Sequence, residues 1–344
     1  MKLYHLLITA VSIAAVSSLT ACRKDLCYNH FRTAAVTLDW EQQWERDYGM
    51  AHIDNWDATL HGFGYHELLP AVAEGVTMLT YTSDISPRET FMSPEGADIN
   101  VGEPGDHSLL FYNNDTEYIV FSDVASLPDA RAYTTSRSRS SLSYISALYP
   151  NARSTNPPDV LYAAYVDKVP DIDLHASKPL PVKMQPLVYT YVVRYEFEHG
   201  IEHVALARGA LSGMAESFYL RNGVTSEETT IILYDCDIKS YGCEAHVRSF
   251  GVPGFPDEYY GRSEMSRADL PYTLNLEVRL TNGKIYEFNY DIADQIARQP
   301  RGGVIRITGI RIEDDQNLSE SGFDVNVDDW GDYVDVDLPV GVLK

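Results

Sequence analysis

Basic residues are scarce in this chain: 27 Lys and Arg stand against 50 Asp and Glu, a formal charge of −23 over 344 residues. Such a surface repels phosphate backbones and anionic head groups, which sets nucleic-acid binding aside. Cysteine is nearly absent, limited to Cys22, Cys27, Cys236 and Cys243. No CxxC or HxxxH spacing supports a zinc site. His66-Glu67-Leu68-Leu69-Pro70 begins like a zinc-protease helix, but Pro70 takes the place of the second ligand and ends any helix there. No GxSxG elbow is present, and Ala210-Leu211-Ser212-Gly213-Met214 reads as small residues in a tight corner between strands. Glycosidase carboxylates are fixed in space and not in sequence, so the acids give no positive reason to invoke them. No fixed-period repeat argues for a solenoid or propeller. The expectation is a non-enzymatic protein with no cofactor.

Long apolar runs are also missing after the first residues, and none approaches the roughly 20 residues a membrane-spanning helix needs. The opening itself is informative. Lys2, an apolar stretch from Leu6 to Val16 and small residues before Cys22 have the order of a secretory signal. Leu19-Thr20-Ala21-Cys22 has the form of a bacterial lipobox, in which the signal is cut before the cysteine and the cysteine is acylated. Residues 1–21 are thus expected to be a lipoprotein signal peptide and 22–32 a lipidated tether. Several acyl chains hold a protein at a membrane where one does so marginally. The protein is expected to be anchored to a membrane without crossing it.

What is plentiful is tyrosine, 24 in all, with Val, Thr and Ile in short alternating runs that favour strands. A chain of this length exceeds what one small core usually serves, so two domains are expected. Strands are read at 33–40, 74–82 and in VLYAAYVDKV. LLFY and EYIVF look like a hairpin across Asn113-Asn114-Asp115. Residues 131–158 are crowded with Ser, Thr, Arg, Asn and Pro and read as a long, protease-sensitive loop. Prolines between 170 and 186 interrupt regular pairing and place a boundary, giving one β-sandwich domain over 33–180 and a second over 181–344. In the second, Asn282-Gly283 predicts a two-residue hairpin turn with both residues at positive φ. Asp291 is placed as N-cap of a short helix ended by Pro300, and VIRITGIRIE as a strand.

Several residues are candidates for a site. Cys236 and Cys243 are near enough in sequence to close a short disulfide loop, leaving Cys27 free. Asp324, Asn326 and Asp328 match the first ligands of a calcium loop, but Asp329 replaces its glycine and no Glu stands at the twelfth position. A strand with Val325 and Val327 inward explains the same letters. Trp40, Trp44, Trp56 and Trp330 are the candidates for a sugar-stacking platform, although tryptophan is more often core.

The lipobox followed by CRKDLCYNH, the segments LLFYNNDTEYIVF, ALSGMAESFYL and LTNGKIYEFNYDIADQI, and the closing GFDVNVDDWGDYVDVDLP together resemble an uncharacterised Bacteroidetes lipoprotein family related to the fimbrillin superfamily. Its better-known relatives are the FimB-type minor fimbrial anchor subunits. The resemblance runs over about residues 22–340 and implies two tandem transthyretin-like, Greek-key β-sandwich domains. It further implies an outer-membrane lipoprotein at the cell surface or periplasmic face, joined to fimbrial subunits by β-strand addition. A surface glycan-binding lipoprotein is the second reading, and a hydrolase with dispersed carboxylates the third.

Overall fold

The computed structural model describes residues 33–46, 52–82, 85–100, 107–138, 143–169, 179–255, 271–313 and 335–336. The fold is mostly β, with its sheets packed as β-sandwich-like domains. The first sheet is built from β1 (Thr33–Trp40), β2 (Val76–Thr82), β3 (Ile85–Met92), β4 (Gly96–Asn100), β5 (Ser108–Asn113), β10 (Tyr162–Val166) and β11 (Leu180–Pro186), in the order β3-β2-β5-β10-β11-β1-β4. Alternate side chains of its central strands serve different cores. Met78, Leu109, Phe111 and Tyr162 face one, with Val36, Ile99 and Met184. Leu79, Leu110, Tyr112 and Ala163 face the other. Burial on both faces is why Leu109-Leu110-Phe111-Tyr112 is continuously apolar where a one-sided strand would alternate.

That second core is covered by a three-stranded sheet of β6 (Ile119–Ser122), β7 (Arg131–Thr134) and β14 (Ser217–Tyr219). The hairpin expected across Asn113-Asn114-Asp115 does not form, because β5 pairs with β2 and β10 while β6 crosses to pair with β7. Asn113 is used differently: its side chain accepts from the Tyr162 amide and donates to Val160 O, which fixes the crossover. Residues 131–158 are not simply a loop either. They hold β7, β8 (Ser136–Arg137), a short helix α2 (Ser143–Leu148) and β9 (Ser154–Thr155), preceded in the chain by α1 (Ala58–His61). Several of their described polar side chains are buried bonding groups. Thr134, Ser154, Thr155 and Asn156 are inside, with Asn156 donating to Thr135 Oγ1 and Thr155 meeting Thr230.

β11 lies across the expected boundary and belongs to the first sheet. It pairs with β1 over five residues despite Pro181, the side chains of Val182 and Met184 pointing inward. The chain then enters β12 (Tyr189–His199), which pairs with β16 (Gly242–Ser249) and, in parallel, with β19 (Gly303–Arg311). Facing them are β13 (Val204–Ala215), β15 (Thr229–Lys239), β17 (Thr273–Leu280) and β18 (Ile285–Asp291), ordered β18-β17-β13-β15. The core between the two layers contains Tyr191, Val193, Tyr195, Leu211, Tyr234, Leu274, Leu276, Val278, Ile305 and Ile307. β15 continues past β9, with which it pairs in parallel, and its far end turns into β16, so one hairpin joins the layers. β20 (Asp335–Val336) adds to β8.

The 273–291 hairpin forms as expected with a different turn. Leu280 N donates to Lys284 O and, of the turn residues, only Gly283 has positive φ (+85°). This is the three-residue loop with glycine in the left-handed position. The helix α3 (Ala293–Arg298) follows, and Asp291 Oδ1 accepts from Ala293 N.

Candidate docking edges

A strap of chain between β1 and β2 crosses the outer face of the β16-β12-β19 layer. Trp44, Leu68 and Val192 form its buried centre, with Trp56, Phe63, Tyr65 and Val304 around them. The strap is pinned by Thr190 N to Trp44 O (2.8 Å) and Arg46 N to Arg301 O (2.9 Å). Its short helix α1 starts at Asp57, whose carboxylate accepts from Thr59 N and Leu60 N, and ends at Gly62 with φ +83°. That end delivers Leu60 O to Arg194 Nη1 at 2.8 Å and His61 Nδ1 to the same nitrogen at 3.2 Å. His61 also stacks on Trp56, ring centroids 3.9 Å apart. Burial and the Arg194 charge hold the His61 pKa below its usual 6.5.

Beneath the strap lies a charged cluster on the outer face of β12 and β16. Arg194 Nε is 3.6 Å from Glu244 Oε2, and Arg306 Nε and Nη2 both donate to Glu196. Burial alone would raise the Glu244 carboxyl. Hydrogen bonds from His246 and Tyr241, with the charges of His246 and Arg194, outweigh it and leave the pKa lowered. A cavity of about 380 Å³ opens beside this cluster, lined by Trp44, Leu68, Pro70, Val188, His246 and Arg248 among others.

The sequence candidates are distributed as follows. Trp44 is 1% exposed and belongs to the strap core. Trp56 is half-buried in the same cluster, its ring at 76° to Trp44, and donates to Phe63 O. Trp40 lies elsewhere, edge-on to Tyr162 and donating to Pro94 O. Cys236 and Cys243 are free thiols at the β15–β16 turn, with Cys243 opposite Ile238. Burial pushes the Cys243 thiol up to about 12, and burial with the neighbouring Cys243 raises the Cys236 thiol as well. Cys22, Asp324, Asn326, Asp328 and Trp330 lie outside the described residues. Among the described residues no group of acids, histidines and cysteines could hold a metal ion, and no helix is long and apolar enough to cross a membrane. Glu67 of the HELLP segment caps its own turn by accepting from Gly64 N. Ser212 is buried in β13 beside a bulge at Gly213, φ +85°.

The edges of the second sandwich differ from each other. β18 pairs only with β17 among the described residues. Because Leu280 N bonds Lys284 O and Ile292 N bonds Tyr272 O, the even residues of β18 carry the bonds to β17. The N–H and C=O groups of Ile285, Glu287, Asn289 and Asp291 therefore point outward. Their side chains are exposed, while Tyr286, Phe288 and Tyr290 are half-buried against the core. Behind Glu287, Arg208 Nε and Nη2 donate to the buried Glu277 Oε1 at 3.1 and 2.7 Å. Burial and the Glu277 charge raise the Glu287 carboxyl.

β19 also has one neighbouring strand, β12, but the outer backbone groups of its first half, at Val304 and Arg306, are occupied. Gln299 accepts from Val304 N (3.0 Å) and donates to Val304 O (2.8 Å). Gln295 accepts from Arg306 N (3.0 Å) and donates to Arg306 O (3.1 Å). These glutamines escaped the sequence reading. Their one signal is an i, i+4 spacing that runs from a short helix to its C-cap directly before a strand.

A family model described as a domain of unknown function (DUF5119) matches residues 63–235. No curated protein matches the chain. Among solved structures, a candidate adhesin from Bacteroides ovatus is similar at a TM-score of 0.56 and 18% identity, over 85% of this chain and 95% of that one. That likeness shows a common fold. The fimbrial anchor protein Mfa2 from Porphyromonas gingivalis gives a TM-score of 0.44 at 11% identity, covering 80% of this chain and 90% of its own. The tip fimbrial protein Mfa3 from the same organism, truncated at its C terminus, gives 0.32 at 12% identity over 63% and 76%.

Proposed function

This chain belongs to the DUF5119 family, and from that premise we propose that it is a non-enzymatic accessory subunit of a surface fimbria or adhesin. In this reading Cys22 carries acyl chains that hold the protein at the outer membrane, and a sheet edge receives an extended segment of a neighbouring subunit. The observation that carries the proposal is the architecture held in common with the Bacteroides ovatus adhesin along 85% of the chain. The lipobox at Leu19–Cys22 supports the anchor, and the outer edge of β18, which has no neighbouring strand among the described residues, supports strand addition. Backbone hydrogen bonds supply adhesion in such a joint and alternate side chains supply selectivity.

The test is genetic and visual. Cells lacking the protein, complemented with wild type or with Cys22→Ala, are examined by electron microscopy and the medium is assayed for fimbriae. The proposal expects fimbriae on cells with wild type and shed fimbriae with Cys22→Ala. Equal retention in both strains would refute an anchoring role.

A further inference from the structure

An edge strand left open invites pairing with any extended chain, and proteins close such edges with bulges, charges or covering elements. The first half of the β19 edge is closed in another way. Residues 295 and 299 are one helical turn apart, a rise of about 6 Å. Residues 304 and 306 are separated by about 6.6 Å along a strand. The spacings match, so each glutamine amide meets one outward backbone N–H and C=O pair, Gln295 on Arg306 and Gln299 on Val304. A primary amide has the same donor and acceptor as a peptide group. Two of them in register therefore stand in for a neighbouring strand. Gly303, at φ +145°, makes room, since a Cβ there would collide with Gln299 Oε1. Gln299 is 5% exposed and its carbonyl accepts from Tyr191 Oη (3.0 Å), which fixes the helix against the sheet.

β18 has no such guard among the described residues. A strand laid along it would place one row of side chains beside Tyr286, Phe288 and Tyr290 and the other beside Glu287 and Asp291, the Glu277 behind them being already paired with Arg208. The first row calls for apolar groups. The second, in a chain of net charge −23, calls for basic ones.

We propose that Gln295 and Gln299 act as a side-chain strand that closes the Val304–Arg306 stretch of β19 and so leaves β18, of the two edges of the second sandwich, as the one receiving an extended segment of another chain, apolar and basic at alternate positions. The choice of β18 rests on the strand-addition reading above; the closure of β19 does not.

The probe is a capped heptapeptide of alternating valine and lysine, with a valine and glutamate peptide as control, titrated onto the chain from Cys22 onward with amide hydrogen exchange as readout. In the free protein Val304 and Arg306 should exchange slowly and Glu287 and Asn289 fast. The lysine peptide should bind once and slow Glu287 and Asn289, and the glutamate peptide should bind at least about tenfold more weakly, roughly the effect of one or two surface charge pairs. Glu287→Pro removes an outward N–H and no bond to β17, and should abolish binding. Gln295→Ala with Gln299→Ala should release Val304 and Arg306 to fast exchange and raise the stoichiometry to two. Gln295→Ala alone, at the less buried position, should release Arg306 first and tests closure without disturbing Gln299. Slow exchange at Val304 and Arg306 in the double variant overturns the closure of β19. Binding unaffected by Glu287→Pro, equal binding of both peptides, or no binding at all overturns the choice of β18. None of these readouts depends on whether the natural partner is fimbrial.

Discussion

Trp44 holds the strap because a large ring in a closed cluster cannot be replaced by neighbours that are already packed. It is 1% exposed and touches His52, Trp56 and Tyr65. Trp44→Ala is expected to destabilise the protein by about 3–5 kcal/mol, read as a lower urea midpoint with an unchanged slope. His61 adds a dependence on pH. It sits neutral against the Arg194 guanidinium, with a pKa held below 6.5. The unfolded chain binds that proton at a higher pH than the folded one, so stability falls as pH drops below about 6.5 and is unaffected above it. The lowered Glu244 carboxyl adds a second loss, beginning below about 4.5 as it is protonated. Thermal melts between about pH 7.5 and about pH 5.5 should show a declining Tm whose slope is shallower in His61→Gln; equal slopes would remove His61 from the account. Little of this was legible in the sequence. Tryptophan and histidine letters do not say whether a ring faces a sugar, a core or an arginine, because the partners that decide it, Val192 and Arg194 of β12 and His246 of β16, are more than a hundred residues away.

At the scale of elements, the alternation in Val304–Ile307, the helix before it and the hairpin around Gly283 were readable, since each depends on residues adjacent in the chain. The failures came where a neighbour was distant. LLFY and EYIVF share strand composition and a turn-forming joint, yet burial on both faces draws β5 between β2 and β10. Residues 131–158 read as solvated because Ser, Thr and Asn usually are. Here Asn156 bonds Thr135, and Arg153 pairs with Glu216. Asn156→Ala would leave the Thr135 hydroxyl short of a partner and should cost about 1–3 kcal/mol by chemical denaturation. A change within about 0.5 kcal/mol would mean the segment behaves as the surface loop its composition suggests.

The molecule as a whole is tied together more tightly than two domains in sequence would require. The core over the first sheet takes Ala215, Phe218, Leu220 and Phe250 from the second half of the chain, and β14 pairs with β7. β9 in turn pairs with β15. Residues 33–186 expressed alone would expose the Leu110 and Tyr112 face, so they should bind hydrophobic dyes and lack a cooperative melt. A sharp, dye-free transition for that fragment would contradict the shared core.

The central claim is that such a body, held at the outer membrane through Cys22, joins a fimbria. The most direct measurement is mild-detergent extraction of the intact protein from native cell envelopes, capture, and mass spectrometry of what accompanies it, with Cys22→Ala as control. The account predicts fimbrial subunits in near-stoichiometric amount with the wild type and their loss from the membrane fraction in the variant. Recovery of the protein alone, or with polysaccharide-uptake components, would contradict it and favour the glycan-binding reading.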